Sequence, residues 1–257
     1  MHPTATPRKA LRALAWAAVP ALLIAGCSSP ASDSGADGND DGAAAEGSES
    51  APEPEPVRFA DLPSPCAVIG EDTIDDIVPK ADPKGGSALT SNDTSLSGTC
   101  LWSGLKEYQY RSLTVSLRRF ESDLSLGSGD ERAQGFIAQQ VEEITGDGAN
   151  SDIAQEDLAG TGDSAITIAY NAEKDIDDDT QDFRQQRVVV RTGNVVVTVD
   201  YAATGLEGDD MPGAKGVRER AETAAAEAVE RLDATAQDDG GDADEESGAD
   251  TDKKDDA

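Results

Sequence analysis

The chain has 257 residues and is strongly acidic, with 52 aspartates and glutamates against 21 lysines and arginines and a formal net charge of −31. Because such a surface repels phosphate backbones, we expect no nucleic-acid partner. A single histidine and three cysteines leave little material for imidazole or thiolate chemistry.

The first 26 residues predict the signal peptide of a bacterial lipoprotein. Basic residues precede an apolar run, Leu14 to Ala25, which at about twelve residues is shorter than the roughly 20 that span a bilayer. The run leads into Leu23-Ile24-Ala25-Gly26-Cys27, which resembles a lipobox, the cleavage and lipidation motif of these proteins. We therefore predict that Cys27 is lipidated and anchors the protein to the extracytoplasmic face of the cell membrane. The alternative is an ordinary signal peptide with an incidental cysteine.

Composition divides the rest of the chain into one domain and two acidic segments. Residues 28–57 hold eight acidic residues and no basic one, and residues 237–257 hold ten acidic residues and two lysines. Their few apolar side chains cannot offset the entropy cost of ordering, so we predict a disordered tether at 27–57 and a disordered tail at 237–257. Residues 58–236 are long enough for one domain with its own core.

The cysteine and histidine inventory excludes most familiar catalysts. In an exported, oxidising compartment we expect Cys66 and Cys100 to pair as a disulfide, with a redox pair or a metal site as the alternative. The only histidine, His2, leaves with the signal peptide. Catalysis by Cys-His or Ser-His-Asp and metal sites built from imidazole or thiolate are therefore excluded, and we predict no cofactor. Carboxylate chemistry, Ser-Lys chemistry or no chemistry remains.

Hydrophobic periodicity predicts three helices and five strands. The helices are expected at 67–78, 130–144 and 217–232, with Asp130 as a possible cap of the second. The strands are expected at 99–105, 111–120, 165–170, 187–192 and 195–201. The last two flank Gly193-Asn194, a two-residue hairpin turn with glycine where a positive φ is needed. This order predicts an α+β domain, an antiparallel β-sheet covered by helices and linked by one disulfide.

Several of these features together resemble a known family. They are the lipobox, the acidic tether, Pro65-Cys66 before a short helix, Cys100-Leu101-Trp102 opening a strand, and Gly160-Thr161-Gly162-Asp163-Ser164-Ala165 leading into another. Such a layout is similar to actinobacterial lipoproteins that share a domain of unassigned function, over about residues 60 to 235. The resemblance implies a Mog1/PsbP-like fold and a binding role, and it implies no catalytic residues.

Two short motifs are open to functional and structural interpretations. The acidic run Asp175 to Thr180 begins like a calcium loop, but threonine and glutamine replace the glycine and glutamate that such a loop needs, which favours a solvated acidic loop. Gly160 and Gly162 suggest a phosphate cradle, but a strand rather than a helix follows them. We expect a turn that positions Asp163 to cap nearby backbone N–H groups.

Arginines are concentrated in the strands of this acidic chain. If the strands are neighbours, an outward positive stripe could bind an anionic ligand, and the alternative is cross-strand pairing with carboxylates. The six arginines are Arg111, Arg118, Arg119, Arg184, Arg187 and Arg191.

Three functions remain open from the sequence. The first is a membrane-anchored, non-catalytic binding module for an envelope ligand or partner protein. The second is a carrier of an apolar molecule, such as a lipid, in a cavity between helices and sheet. The third is a carboxylate-based cell-wall hydrolase, which needs two acidic side chains at about 5 to 9.5 Å.

The anchor prediction is tested by Cys27→Ser. We expect the variant to lose the acyl groups, because serine has no thiolate to alkylate. Intact-mass spectrometry of the purified protein measures the change, and Ser28→Ala is the control that should keep the full lipid mass. Acyl groups on the Cys27→Ser protein would contradict the prediction.

Overall fold

A computed structural model of the chain describes residues 52–176 and 179–241, with backbone alone at 176, 179 and 238–241. The predicted signal peptide, Cys27 and most of the predicted tether and tail lie outside the described residues.

Seven strands and three helices make up the domain. All strand pairs are antiparallel, in the order β1-β2-β3-β7-β6-β5-β4, which confirms the predicted α+β class. The strands are β1 (Ser87–Leu89), β2 (Ser97–Lys106), β3 (Gln109–Arg119), β4 (Asn150–Asp157), β5 (Ser164–Ile176), β6 (Asp179–Thr192) and β7 (Val195–Gly205). The helices are α1 (Glu71–Ile77), α2 (Gly129–Gly146) and α3 (Ala214–Gly241).

Helices α1 and α3 cover one face of the sheet. Side chains alternate between the faces of a strand, so the odd-numbered residues of β7, from Val195 to Ala203, all point to this face. Helix α3 lies on β6 and β7 through alanines that are fully buried. Their small side chains let the helix backbone come close to the valines of the sheet. The alanines are Ala221, Ala224, Ala225 and Ala228.

Helix α2 packs on the opposite face. Ala133 and Ile137 contact Val189 and Val196 in a second core cluster. Ser128 begins the helix with a capping box, in which its hydroxyl accepts from the Glu131 N–H at 3.2 Å and its own N–H donates to the Glu131 carboxylate at 3.1 Å. The expectation that Asp130 caps the helix is wrong, because Asp130 lies inside the first turn.

The turn between β6 and β7 organises one end of the sheet. Gly193 adopts a φ of 51°, as the sequence predicts, and Asn194 is fully buried. The Asn194 side chain accepts from the Phe59 N–H at 2.9 Å and donates to the carbonyl oxygens of Phe59 at 3.0 Å and Phe120 at 2.9 Å. We call these contacts the Asn194 clamp, because they tie the entering chain and the end of β3 to the hairpin turn.

The disulfide between Cys66 and Cys100 is present, with 5.1 Å between the Cα atoms. It fastens the segment before α1 to β2. Trp102 is buried near it, and its indole N–H donates to the Lys84 carbonyl at 3.1 Å. A Cβ on Gly86 would lie 2.5 Å from the Cys100 sulfur and 2.6 Å from the Trp102 ring, so tryptophan and disulfide pack around the same glycine.

The structure differs from the sequence prediction at the edges of the sheet and at the ends of some elements. Strands β1 and β4 were not predicted, because their mostly exposed side chains give no apolar alternation. The acidic run from Asp175 to Thr180 is not simply a loop, since β5 and β6 continue as a hairpin in which these two residues pair. Helix α3 continues to Gly241, so the first five residues of the predicted tail are helical.

Within 52–176 and 179–241, we find no helix whose length and apolar character would let it cross a membrane.

The Asn194 clamp leads to a stability prediction. Asn194→Ala leaves one buried N–H and two carbonyls without their partner, so we expect unfolding to become easier by roughly 2 to 4 kcal/mol. Urea unfolding followed by circular dichroism measures the change. Asn150→Ala is the control, because Asn150 donates a single hydrogen bond, to the Ile144 carbonyl. Equal losses for the two variants would contradict the role of the clamp.

Candidate functional site

The six strand arginines do not share one face, so the single positive stripe considered from the sequence does not form. Arg118, Arg187 and Arg191 pair with even-numbered residues of β7, on the α2 face. The other three pair with odd-numbered residues and belong to the α3 face; they are Arg111, Arg119 and Arg184.

Arg187 and Arg191 are neutralised by carboxylates, as the alternative interpretation predicted. The Arg187 Nε lies 2.6 Å from Asp200 Oδ1, and its Nη1 lies 3.3 Å from Glu143 Oε2. Arg191 Nη1 lies 3.1 Å from Asp163 Oδ2. Burial beside this group raises the pKa of Tyr170 to about 12. These charges therefore serve the packing of the sheet.

Asp163 takes part in the fold through the glycine turn predicted from the sequence. Gly162 has a φ of 59°, and a Cβ there would lie 2.5 Å from Val190 Cγ1. The Asp163 carboxylate accepts the Gly193 N–H at 2.7 Å, so it caps the β6–β7 turn. The expected backbone partner is thus present, but it lies 30 residues away rather than nearby in sequence.

Arg111 and Arg184 flank Ala203 from the two strands beside β7. Arg184 donates to the Pro212 carbonyl. The Arg111 Nε is buried and has no hydrogen-bond partner among the described residues. Neither forms an ion pair with a carboxylate in that part of the chain.

A cleft of about 490 Å³ lies at the end of β3 and contains three arginines. Arg118 and Arg119 are the last residues of β3, and Arg132 comes from the first turns of α2. The loop between β1 and β2, with Ser97 at the start of β2, and Glu121 also line the cleft. We call this site the arginine cleft.

Two phenylalanines contact two of the three cleft arginines, Arg118 and Arg132. The ring centres of Phe120 and Phe136 are 5.5 Å apart. The Arg118 guanidinium carbon lies 4.5 Å from the centre of the Phe136 ring and 5.3 Å from that of Phe120, and Arg132 lies 6.0 Å from that of Phe120. A guanidinium stacked on a ring keeps the N–H donors at its edge for other partners. Stacking therefore positions Arg118 without using its hydrogen bonds.

The two carboxylates that line the cleft, Asp93 and Glu121, have partners within the cleft and its loop. Glu121 lies 3.3 Å from Arg119, whose Nε donates to the Ser95 carbonyl. Hydrogen bonds from the Ser95 hydroxyl and N–H lower the pKa of Asp93, which keeps it ionised and occupied. Across residues 52–176 and 179–241, no carboxylate lies within ion-pair distance of Arg118 or Arg132. Arg118 and Arg132 are thus without a carboxylate partner there, and Arg132 Nη1 donates to the Glu121 carbonyl oxygen.

The sequence-based set of arginines lacked Arg132, because it counted only strand residues. One signal could have found it: Arg132 and Phe136 are four residues apart and lie on the same side of α2. The same set included Arg187 and Arg191, which are ion-paired.

Comparison with known proteins does not assign the cleft. No protein-family model matches the chain, and no curated protein matches it. The resemblance to actinobacterial lipoproteins and to the Mog1/PsbP-like fold stays a prediction. In the part of the chain that the structure describes, no group of three or more histidine, cysteine or acidic residues could hold a metal ion.

The ion-paired arginines and the arginine stacked on aromatic rings should respond differently to substitution. Arg187→Gln leaves Asp200 partly buried without its cation, so we expect a loss of about 3 kcal/mol in the free energy of unfolding. Arg118→Gln removes only stacking at an exposed site, and the loss should stay below about 1 kcal/mol. Urea unfolding measures both. A loss for Arg118→Gln as large as that for Arg187→Gln would mean that Arg118 is structural.

Proposed function

We propose that the protein is a lipid-anchored, non-catalytic binding module of the cell envelope. Its arginine cleft takes an anionic group, a phosphate or a carboxylate, of an envelope ligand or partner protein. The observation that carries the proposal is Arg118, stacked on Phe120 and Phe136 and without a carboxylate within ion-pair distance among the described residues.

The chemistry of the cleft supports an anionic ligand. A guanidinium presents its N–H donors in a plane that matches the oxygens of a phosphate or carboxylate. Arg118 and Arg132 both lie over the Phe120 ring, so their like charges repel each other until an anion lies between them. An anion in the cleft would relieve this repulsion and gain directed hydrogen bonds.

The inventory of reactive groups supports binding rather than catalysis. The mature chain would have no histidine, and Cys66 and Cys100 are joined in the disulfide. The close packing of α3 on the sheet through alanines favours a surface site over a lipid cavity between helix and sheet. Lipidation of Cys27 would hold the cleft close to ligands of the envelope.

The experiment is a titration of the full chain carrying Cys27→Ser with inorganic pyrophosphate, followed by NMR of the arginine Nε–H groups. We expect saturable shifts at Arg118 and Arg132. In the variant with both Arg118→Gln and Arg132→Gln, the affinity measured from the shifts of neighbouring backbone amides should fall at least tenfold, which corresponds to about 1.4 kcal/mol.

A second double variant controls for the change of charge. Arg218→Gln with Arg231→Gln removes the same two charges from α3, where both arginines are paired with glutamates. Its affinity should stay within about twofold of the parent value. Equal weakening in both double variants would show that pyrophosphate responds to net charge, and the arginine cleft would not be a site.

A further inference from the structure

Two exposed leucines project from a turn beside the arginine cleft. The turn joins β3 to α2, and we call residues 123–127 the leucine turn. Leu124 is 63% exposed and Leu126 is 64% exposed, the highest values among the large apolar side chains that are exposed. Neither belongs to a core cluster, so their apolar character does not serve the packing of the domain.

Hydrogen bonds fix the shape of the leucine turn. The N–H groups of Asp123 and Gly127 donate to each other's carbonyl oxygens, at 2.9 and 3.0 Å. The Asp123 carboxylate accepts the N–H groups of Ser125 and Leu126 and the Ser125 hydroxyl. A turn closed in this way keeps both leucines directed outward instead of letting them fold back onto the domain.

The leucine turn begins at the point where the chain enters the domain. The Asn194 clamp holds Phe59, near the end of the predicted tether, and Phe120, three residues before the turn. A Cβ on Gly129, just after the turn, would lie 3.0 Å from Val57, so the entering chain also touches the start of α2. The chain therefore enters the domain at the same end of the sheet as the leucines.

We propose that this end of the domain rests on the phospholipid bilayer, with Leu124 and Leu126 inserted at the level of the headgroups. The inference rests on the lipidation of Cys27 in the proposed function. Contact with the bilayer would bring Arg118 and Arg132 to the level of the lipid phosphates, where arginine side chains reach readily.

Because the proposed lipid anchor would hold the domain near the bilayer, a weak contact of the leucine turn is sufficient for docking. A flexible chain of 30 residues, the length of segment 28–57, would have a mean end-to-end distance of about 30 Å, so the domain would stay within reach of the surface. A tethered site experiences a local concentration in the millimolar range, which populates contacts too weak to form from solution. Two leucines on a fixed turn are then enough to favour one orientation of the domain on the bilayer.

Charged groups of both signs lie beside the leucine turn. Screening limits each charge to about 8 Å at physiological salt, so the residues in contact matter more than the net charge. Hydrogen bonds from Ser125 lower the pKa of Asp123, so its carboxylate stays ionised, and Arg132 lies close enough to interact with it. Asp130 lies 3.7 Å from Arg191. With these carboxylates opposed by arginines, the two leucines supply the attraction to the bilayer.

Tryptophan fluorescence of the lipidated full protein tests this contact. Trp102 is buried and gives a constant background, and Trp16 is removed with the signal peptide. Leu124→Trp places a reporter on the turn. Leu105→Trp is the matched control, 53% exposed and about 30 Å away at the far end of the β2–β3 hairpin. Both are reconstituted in vesicles of phosphatidylglycerol and phosphatidylcholine, with and without acyl-chain bromination.

We expect Leu124→Trp to shift to the blue and to lose about half of its emission or more to the brominated lipid, as an inserted side chain would. Leu105→Trp should lose little. Leu126→Trp should behave as Leu124→Trp, which guards against a local defect in one variant.

Other results would contradict the docking of this end of the domain. Quenching at neither turn position, or equal quenching at the turn and at Leu105, would overturn the docking of this end. A blue shift that follows protein concentration rather than lipid would mean that a second copy covers the leucines, and would overturn it as well. Intact mass is measured on each sample, and a chain without acyl groups would instead overturn the proposed function, and this inference with it.

Discussion

The hydrogen bonds of one buried side chain, Asn194, join its own turn to two segments that lie 74 and 135 residues earlier in the sequence. Its amide can make four hydrogen bonds and uses three of them on the backbone of Phe59 and Phe120. The clamp depends on Gly193, whose positive φ sets the turn, and on Asp163, which caps the Gly193 N–H. Through it the central β6–β7 hairpin fixes where the chain enters, where β3 ends and where α2 starts. The position of the arginine cleft and of the leucine turn follows from these three points.

Position in the sheet decides what each arginine does. In the middle of β6, Arg187 is largely buried, and burial without a carboxylate would be costly, so Asp200 and Glu143 lie against it. At the end of β3, Arg118 reaches solvent, and aromatic rings rather than carboxylates hold it. The same residue type is thus a structural group in β6 and a candidate binding group at the end of β3.

Much of the fold could be predicted from the sequence, because its signals are local. Gly193-Asn194 between valine-rich segments predicted the hairpin, and the exported setting predicted the pairing of Cys66 with Cys100. The edge strands could not be predicted, since β1 and β4 expose most of their side chains and so lack a pattern. The division of the arginines within one strand could have been predicted, because adjacent residues such as Arg118 and Arg119 point to opposite faces. Which arginines of β3 share a face with those of β6 could not, since it depends on the pairing register between strands. A shift of one residue reverses the face of every side chain, and composition does not determine that register. Arg132 was missed because only strand arginines were considered, and its partners Phe120 and Glu121 come from the segment after β3.

The ion pair between Arg58 and Asp233 has a practical consequence. It places the entry of the chain and the C-terminal part of α3 together, 3.1 Å apart at these side chains. Thr192 bridges the same two residues through its hydroxyl, so the three sit as one group beside the β6–β7 turn. The opposite end of the sheet, at the tight turn of Glu107 and Tyr108, carries neither terminus. A circularly permuted chain that is opened at that turn and closed by a short linker from beyond Asp233 to Arg58 would therefore keep every strand pairing of the sheet, and its new ends would leave the domain at the end opposite Arg58.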